Sequence, residues 1–178
     1  MGTTFRKDNP FGKQTFMKYW KINLAESKAS NEVDIKKYTS MNKDIESVIE
    51  LINDEIDWDA MYSIDDCYQR FKDGCFSFVL YENSKPIGIQ WLYDVRPNVY
   101  CFNIFISKNK KSENGISQLF FDTMHNMLYK EGYESLMAYC DDWNEKMWYR
   151  ATKTKGFQPI SVHMFNDMIG AAKKKTYF

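Results

Sequence analysis

The residues best suited to chemistry in this chain lie in one short polar run. Ser112-Glu113-Asn114-Gly115-Ile116-Ser117 follows Lys108, Lys110 and Lys111 and leads straight into a stretch with helical apolar spacing. The first N–H groups of a helix lack intrahelical partners and the helix dipole favours an anion there, so a loop of this kind can bind phosphate. Gly115 keeps a side chain out of the approach, while the three lysines add positive charge and Glu113 opposes it unless turned away. The same residues also suit an ordinary solvated loop with a helix cap. A second cluster, Asp54, Glu55, Asp57, Asp59, Asp65 and Asp66, has Trp58 and Tyr62 among it. It could draw in a cation and give it an aromatic wall, although charge runs between helices usually form solvated faces.

Other chemistries find less support. His125 and His163 stand far apart and lack a neighbouring cysteine or carboxylate pattern, which favours structural roles over metal binding. Cys67, Cys75, Cys101 and Cys140 show no paired short spacing and read as buried reduced thiols, pointing to the cytoplasm. Lysine plus arginine and aspartate plus glutamate number 24 each, so the positive field expected of a nucleic-acid binder is absent. Residues 1–31 do interleave Arg6, Lys7, Lys13, Lys18 and Lys21 with Phe5, Phe11, Phe16, Tyr19 and Trp20, a composition that could also stack on single-stranded nucleic acid. No apolar run is long enough to span a membrane, and charges interrupt the N-terminus where a signal peptide needs an apolar core.

The elements that must position these residues can be read from periodicity. With 44% apolar and 17% aromatic residues the chain can bury a core, and its length suits one domain. Residues 1–32 show no clean periodicity and are expected to be an extension packing on a domain of residues 33–178. Residues 33–38 alternate as a half-buried strand, and Ile45, Val48, Ile49, Ile52 and Ile56 mark a helix face. Ser63 is a plausible cap for a second helix with Ile64, Tyr68 and Phe71 inward. Residues 75–81 and 87–93 read as a hairpin, residues 99–106 as the next strand. The helix after Gly115 turns Ile116, Leu119, Phe120, Thr123, Met127 and Leu128 inward and closes at Gly132. A strand at 135–140, a helix at 143–155 ending at Gly156 and a strand at 157–165 complete the order.

That order, with Lys85-Pro86-Ile87-Gly88 opening the hairpin's return strand, Ser107 to Ser117, and Asn144-Glu145-Lys146-Met147 running to Gly156-Phe157, resembles the GNAT acyltransferase superfamily over residues 33–165. The resemblance implies an α+β fold with a central, mostly antiparallel mixed sheet flanked by helices. It also implies an N-acyltransferase using acetyl-coenzyme A, or another acyl-coenzyme A, on a small-molecule or protein amine, in a monomer or homodimer. Lys110, Lys111, Ser112, Glu113, Asn114, Gly115, Ile116 and Ser117 then hold the pyrophosphate, with Ser112 and Ser117 standing where the family has glutamine or arginine and glycine or alanine. Phe105 and Ile106 pair by backbone with the pantetheine arm, and Asn144 touches the cofactor. The family's tyrosine that protonates the departing thiolate falls at Thr152 counted from Gly156, or at Ala151 counted from Asn144. Tyr149, one turn before Thr152, is the candidate acid. For a general base, Asp94, Asn103, Asp141 and Asp142 stay open.

Overall fold

Seven segments rich in aromatic and aliphatic residues pair into one sheet: β1 (Met17–Asn23), β2 (Ile35–Tyr38), β3 (Cys75–Glu82), β4 (Lys85–Val95), β5 (Asn98–Ile106), β6 (Ser135–Asp141) and β7 (Phe157–Ile160). The computed structural model describes residues 17–27, 32–55, 63–107, 115–141 and 144–170. Strand order is β2-β3-β4-β5-β6-β1-β7. Every neighbouring pair is antiparallel except β5 with β6, which is parallel. The fold is therefore α+β, a mixed and mostly antiparallel sheet with helices on both faces.

One face carries α1 (Lys43–Glu55), α2 (Ile64–Lys72) and α5 (Val162–Ile169). Ile45, Val48, Ile49 and Ile52 of α1 and Phe165 and Ile169 of α5 pack there with Val79, Ile89, Trp91, Tyr100 and Met137. The other face carries α3 (Ile116–Lys130) and α4 (Glu145–Lys153), whose Phe120, Met124, Leu128 and Ala151 meet Trp20, Ile22, Phe78, Leu92 and Val99. Period-3.6 spacing on the helices and period-2 spacing on the strands thus meet in two apolar layers.

Three expectations change. The segment before residue 33, expected as an extension, contributes β1, which lies inside the sheet and pairs with β6 along its whole length and with β7 on its other edge. Lys18 and Lys21 obscure its pattern in the sequence, yet only Trp20 and Ile22 need to be deeply buried, and the Lys18 ammonium sits over the Trp148 ring at 4.6 Å. The last strand stops at Ile160 rather than running to Phe165. The Ser161 hydroxyl accepts from the Met164 N–H at 3.1 Å and starts α5, whose Phe165 and Ile169 then face the core at helical spacing. On α2 the inner face is Cys67, Arg70 and Phe71, while Ile64 and Tyr68 are exposed. An arginine can sit inside because its guanidinium lies 5.1 Å from the Trp91 ring and 5.5 Å from the Phe102 ring.

Gly156 is required by β1. A Cβ there would stand 2.5 Å from the Asn23 carbonyl oxygen, and its φ of 86° belongs to the left-handed region. All four cysteines are buried thiols outside any disulfide.

If β1 is an integral strand, Trp20→Ala should remove about 3–5 kcal/mol of stability, a fall of roughly 6–20 °C in melting temperature for a chain of this size. A melting temperature within a degree of the wild type would place β1 outside the cooperative core.

Candidate active site in the parallel strand pair

The parallel pair is bridged only at Asn98↔Ser135, Val99↔Leu136 and Tyr100↔Met137. Beyond Tyr100 and Met137, β5 runs on to Ile106 and β6 to Asp141 without further pairs, so the strands open as a wedge toward their C-terminal ends. Two features hold it open. On its outer edge β6 stays paired with β1 from Ser135 to Asp141. On its own outer edge β5 bulges: Gln90 pairs with Ile104 and Trp91 with Phe102, leaving Asn103 as the inserted residue. A bulge bends its strand and raises local twist, and it commonly lies next to a functional site.

Both helices that follow this pair begin at the open end. The C-terminus of α3 is tied to the start of β5, since Arg96 Nη1 donates to the Glu131 carbonyl at 3.4 Å and Glu134 N–H donates to the Pro97 carbonyl at 2.9 Å. A helix of that length spans about 22 Å, which returns its N-terminus to the far end of β5. Gly115 caps α3 with φ 67° and makes no side-chain capping bond, and a Cβ built there meets no atom of the described residues within 4 Å. No acidic residue occupies the first turn. α4 is capped three residues beyond β6 by Asn144, whose N–H donates to the Asp141 carbonyl at 3.0 Å and whose Oδ1 accepts from the Met147 N–H at 3.3 Å. Two helix dipoles therefore present their positive ends at the mouth of the wedge.

Of the expected cofactor residues, Phe105, Ile106, Gly115, Ile116, Ser117 and Asn144 are brought to this end, with Ser117 buried. Lys110, Lys111, Ser112, Glu113 and Asn114 lie outside the described residues, as do Asp57, Trp58, Asp59, Tyr62 and Asp142. Asp94 belongs to the closed end: it pairs with Val99 and accepts from the Arg96 N–H at 3.2 Å, serving the β4–β5 turn. Asp141 ends β6 at the open end. On α4, Ala151 faces the core while Tyr149 is 66% exposed, with the Lys153 ammonium 5.2 Å above its ring. Thr152 turns its hydroxyl back to the Tyr149 carbonyl at 2.8 Å.

The sequence did not single out Ser107, which anchors the mouth. Its N–H donates to the Ile87 carbonyl at 2.8 Å and its hydroxyl donates to Glu55 Oε1 at 2.6 Å. Glu55 ends α1, and at the helix's start Asp44 Oδ2 accepts from the Tyr81 hydroxyl at 2.6 Å, Tyr81 also bonding Tyr38. Burial first, then these bonds, push the Tyr81 phenol well above its ordinary value, so it stays a donor. These two polar anchors at its ends fix α1 from β3 across to the end of β5. Glu55 stood in the sequence as one of the acidic cluster, and its bond to Ser107, 52 residues away, had no local signal.

The sequence matches no protein-family model and no curated protein. Solved structures do match. A conserved protein of unknown function from Staphylococcus epidermidis superposes with TM-score 0.58 at 16% identity over 80% of this chain and 57% of its own. A GCN5-related N-acetyltransferase from Sphaerobacter thermophilus gives TM-score 0.58 at 10% identity over 81% and 48%. This chain has the GNAT fold. An aminoglycoside acetyltransferase from an uncultured soil metagenomic sample shares it at TM-score 0.52 and 17% identity, over 70% of this chain and 89% of the enzyme. The chain thus spans about half the length of the first two matches. Among the described residues no helix is long and apolar enough to cross a membrane, and no cluster of histidine, cysteine and carboxylate is arranged to hold a metal ion.

His125 lies on α3, away from both helix N-termini that open onto the wedge. It is buried, its Nδ1 lies 2.7 Å from the Ser27 hydroxyl, and burial pushes its pKa down to about 4. The folded chain keeps it neutral, whereas the unfolded chain takes up a proton below about pH 6.5. Stability should therefore be full above that pH and fall by about 3 kcal/mol between pH 6.5 and 4 from this group. Urea titrations of wild type and His125→Asn across that range check this: the variant's profile should be flatter, and parallel profiles would discount the buried imidazole. His163 sits exposed on α5, 3.4 Å from Asp167, rather than in a strand.

Proposed function

We propose that the protein is an N-acyltransferase that binds acetyl-coenzyme A, or another acyl-coenzyme A, in the wedge and passes the acyl group to an amine. The observation that carries this is the unpaired C-terminal half of the parallel strand pair, flanked at its mouth by the starts of α3 and α4. A backbone edge released from sheet pairing offers N–H and C=O groups to an extended amide chain, as β-augmentation does. Phe105 and Ile106 supply that edge. The α3 N-terminus at Gly115, Ile116 and Ser117 would receive the pyrophosphate, with Lys110, Lys111, Ser112, Glu113 and Asn114 completing the loop. Asn144 uses Oδ1 for its own cap, which leaves its Nδ2 as the donor that could face the cofactor.

The amine attacks the thioester carbonyl directly, and the thiolate that leaves needs a proton. Tyr149 and Thr152 are the α4 side chains that the resemblance assigns to this task. The acidic residues around Glu55 suit a cationic amine, and the likeness to an aminoglycoside acetyltransferase supports a small-molecule acceptor over a protein. A second reading, a coenzyme A-binding module without turnover, is favoured by the exposure of Tyr149.

Acetyl-coenzyme A at a hundredfold excess over its dissociation constant should stabilise the fold by about 2.7 kcal/mol, read as a rise in melting temperature. No shift at millimolar ligand removes both readings. Amine-dependent release of thiol from acetyl-coenzyme A separates the enzyme from the binding module.

Gly115→Val tests the loop. Its φ makes any β-carbon there cost about 1–2 kcal/mol of stability, and since no described residue lies within 4 Å of that carbon, the side chain would project where the anion is expected. Coenzyme A affinity should fall more than tenfold. Unchanged affinity would move the pyrophosphate away from α3.

A further inference from the structure

A tyrosine borders the wedge. Immediately past the last bridged pair, Ala138 turns to the α3 face and Tyr139 to the α1 face, so Tyr139 is the first side chain on that face where the strands part. It is half-buried and held on three sides: by the Tyr19 ring at 5.9 Å, the Tyr100 ring at 6.2 Å and the Phe165 ring at 6.1 Å. Tyr19 comes from β1, Tyr100 from β5 and Phe165 from α5, so with β6 itself four elements hold this ring beside the opening.

We propose that Tyr139 donates the proton taken up by the coenzyme A thiolate as the thioester breaks, a role that rests on the acyltransferase reading above. The amine nitrogen bonds to the carbonyl carbon, the carbon–sulfur bond breaks with its electron pair on sulfur, and the Tyr139 O–H proton moves to that sulfur. The proton shed by the amine nitrogen returns through solvent to the phenolate oxygen, so no further reactant is consumed. Tyr100 assists. Its hydroxyl is hydrogen-bonded with that of Tyr139, and burial first, with Tyr139 beside it, holds the Tyr100 phenol well above its ordinary value. Tyr100 therefore keeps its proton and can donate to the phenolate as it forms at Tyr139, which a solvated phenol such as Tyr149 lacks.

Binding alone can test this. Desulfo-coenzyme A lacks the sulfur but keeps the nucleotide and pantetheine. At about pH 8.5, where a free thiol is half ionised, a phenol donor to the thiolate makes coenzyme A the tighter ligand. In Tyr139→Phe, which retains the ring contacts, the affinity ratio of coenzyme A to desulfo-coenzyme A should shrink by about tenfold, with desulfo-coenzyme A affinity unchanged. Tyr100→Phe should shrink it less, and serves in place of the first variant if that one fails to fold. Turnover of acetyl-coenzyme A with the aminoglycoside sisomicin, where observed, should fall about a hundredfold in Tyr139→Phe, chiefly in kcat. Equal ratios in wild type and the variants return Tyr139 to a packing role while leaving the acyltransferase reading intact. Failure of the wild type to bind either compound removes both proposals.

Discussion

The arrangement of this molecule depends on where the pairing between two parallel strands stops. Backbone N–H and C=O groups are obligatory hydrogen-bonding groups, and leaving one buried without a partner costs about 1–3 kcal/mol. A sheet therefore does not part in its middle unless something holds each half in place and the freed groups can meet solvent or a ligand. Here β4 holds β5 through a register that absorbs one extra residue at Asn103, and β1 holds β6 from Ser135 to Asp141. The three bridged pairs ending at Tyr100 and Met137 act as the hinge of the wedge.

The flanking helices follow from that constraint. Parallel neighbours need a crossover between them, and α3 provides it, tied at its C-terminus to the closed end of the pair and so starting at the open end. The same direction of travel puts the start of α4 just beyond β6. Two helix N-termini thereby converge without any motif bringing them together, which is the general reason ligands of such sheets bind outside the carboxyl ends of strands. On the opposite face α1 is pinned at both ends, to Tyr81 and to Ser107, which sets Glu55 beside the end of β5. Electrostatics then differ across the opening, with positive helix ends on one side and Glu55 on the other.

Burial sorts the polar residues into structural and exposed sets. His125, Arg70 and Tyr100 are enclosed, each beside aromatic rings or a single hydroxyl, and each contributes to a packed layer. Tyr149 and His163 stand in solvent on the outer faces of short helices. Tyr139 falls between these classes, because its strand has no neighbour on one side at that level.

Much was legible in the sequence because it is local. The isoleucine face of α1, the cap at Ser63, the hairpin around residues 83–84 and the glycine before α3 each rest on contacts within a few residues, and element order alone was enough to suggest the GNAT fold. Three matters were not local. β1 was hidden because its lysines mask a pattern that only its position between β6 and β7 makes sensible. The inner face of α2 was misread because an arginine is inside only when Trp91 and Phe102 supply the rings to stack on. The importance of Tyr139 could not be read from the residues around it, since neither the end of pairing at Met137 nor the rings of Tyr19, Tyr100 and Phe165 is visible in its own strand. Propensity and periodicity thus determined which elements form and in what order. Only tertiary structure decided which strand edge stays open and which side chains stand at it, because strand register and burial are set by partners far away along the chain.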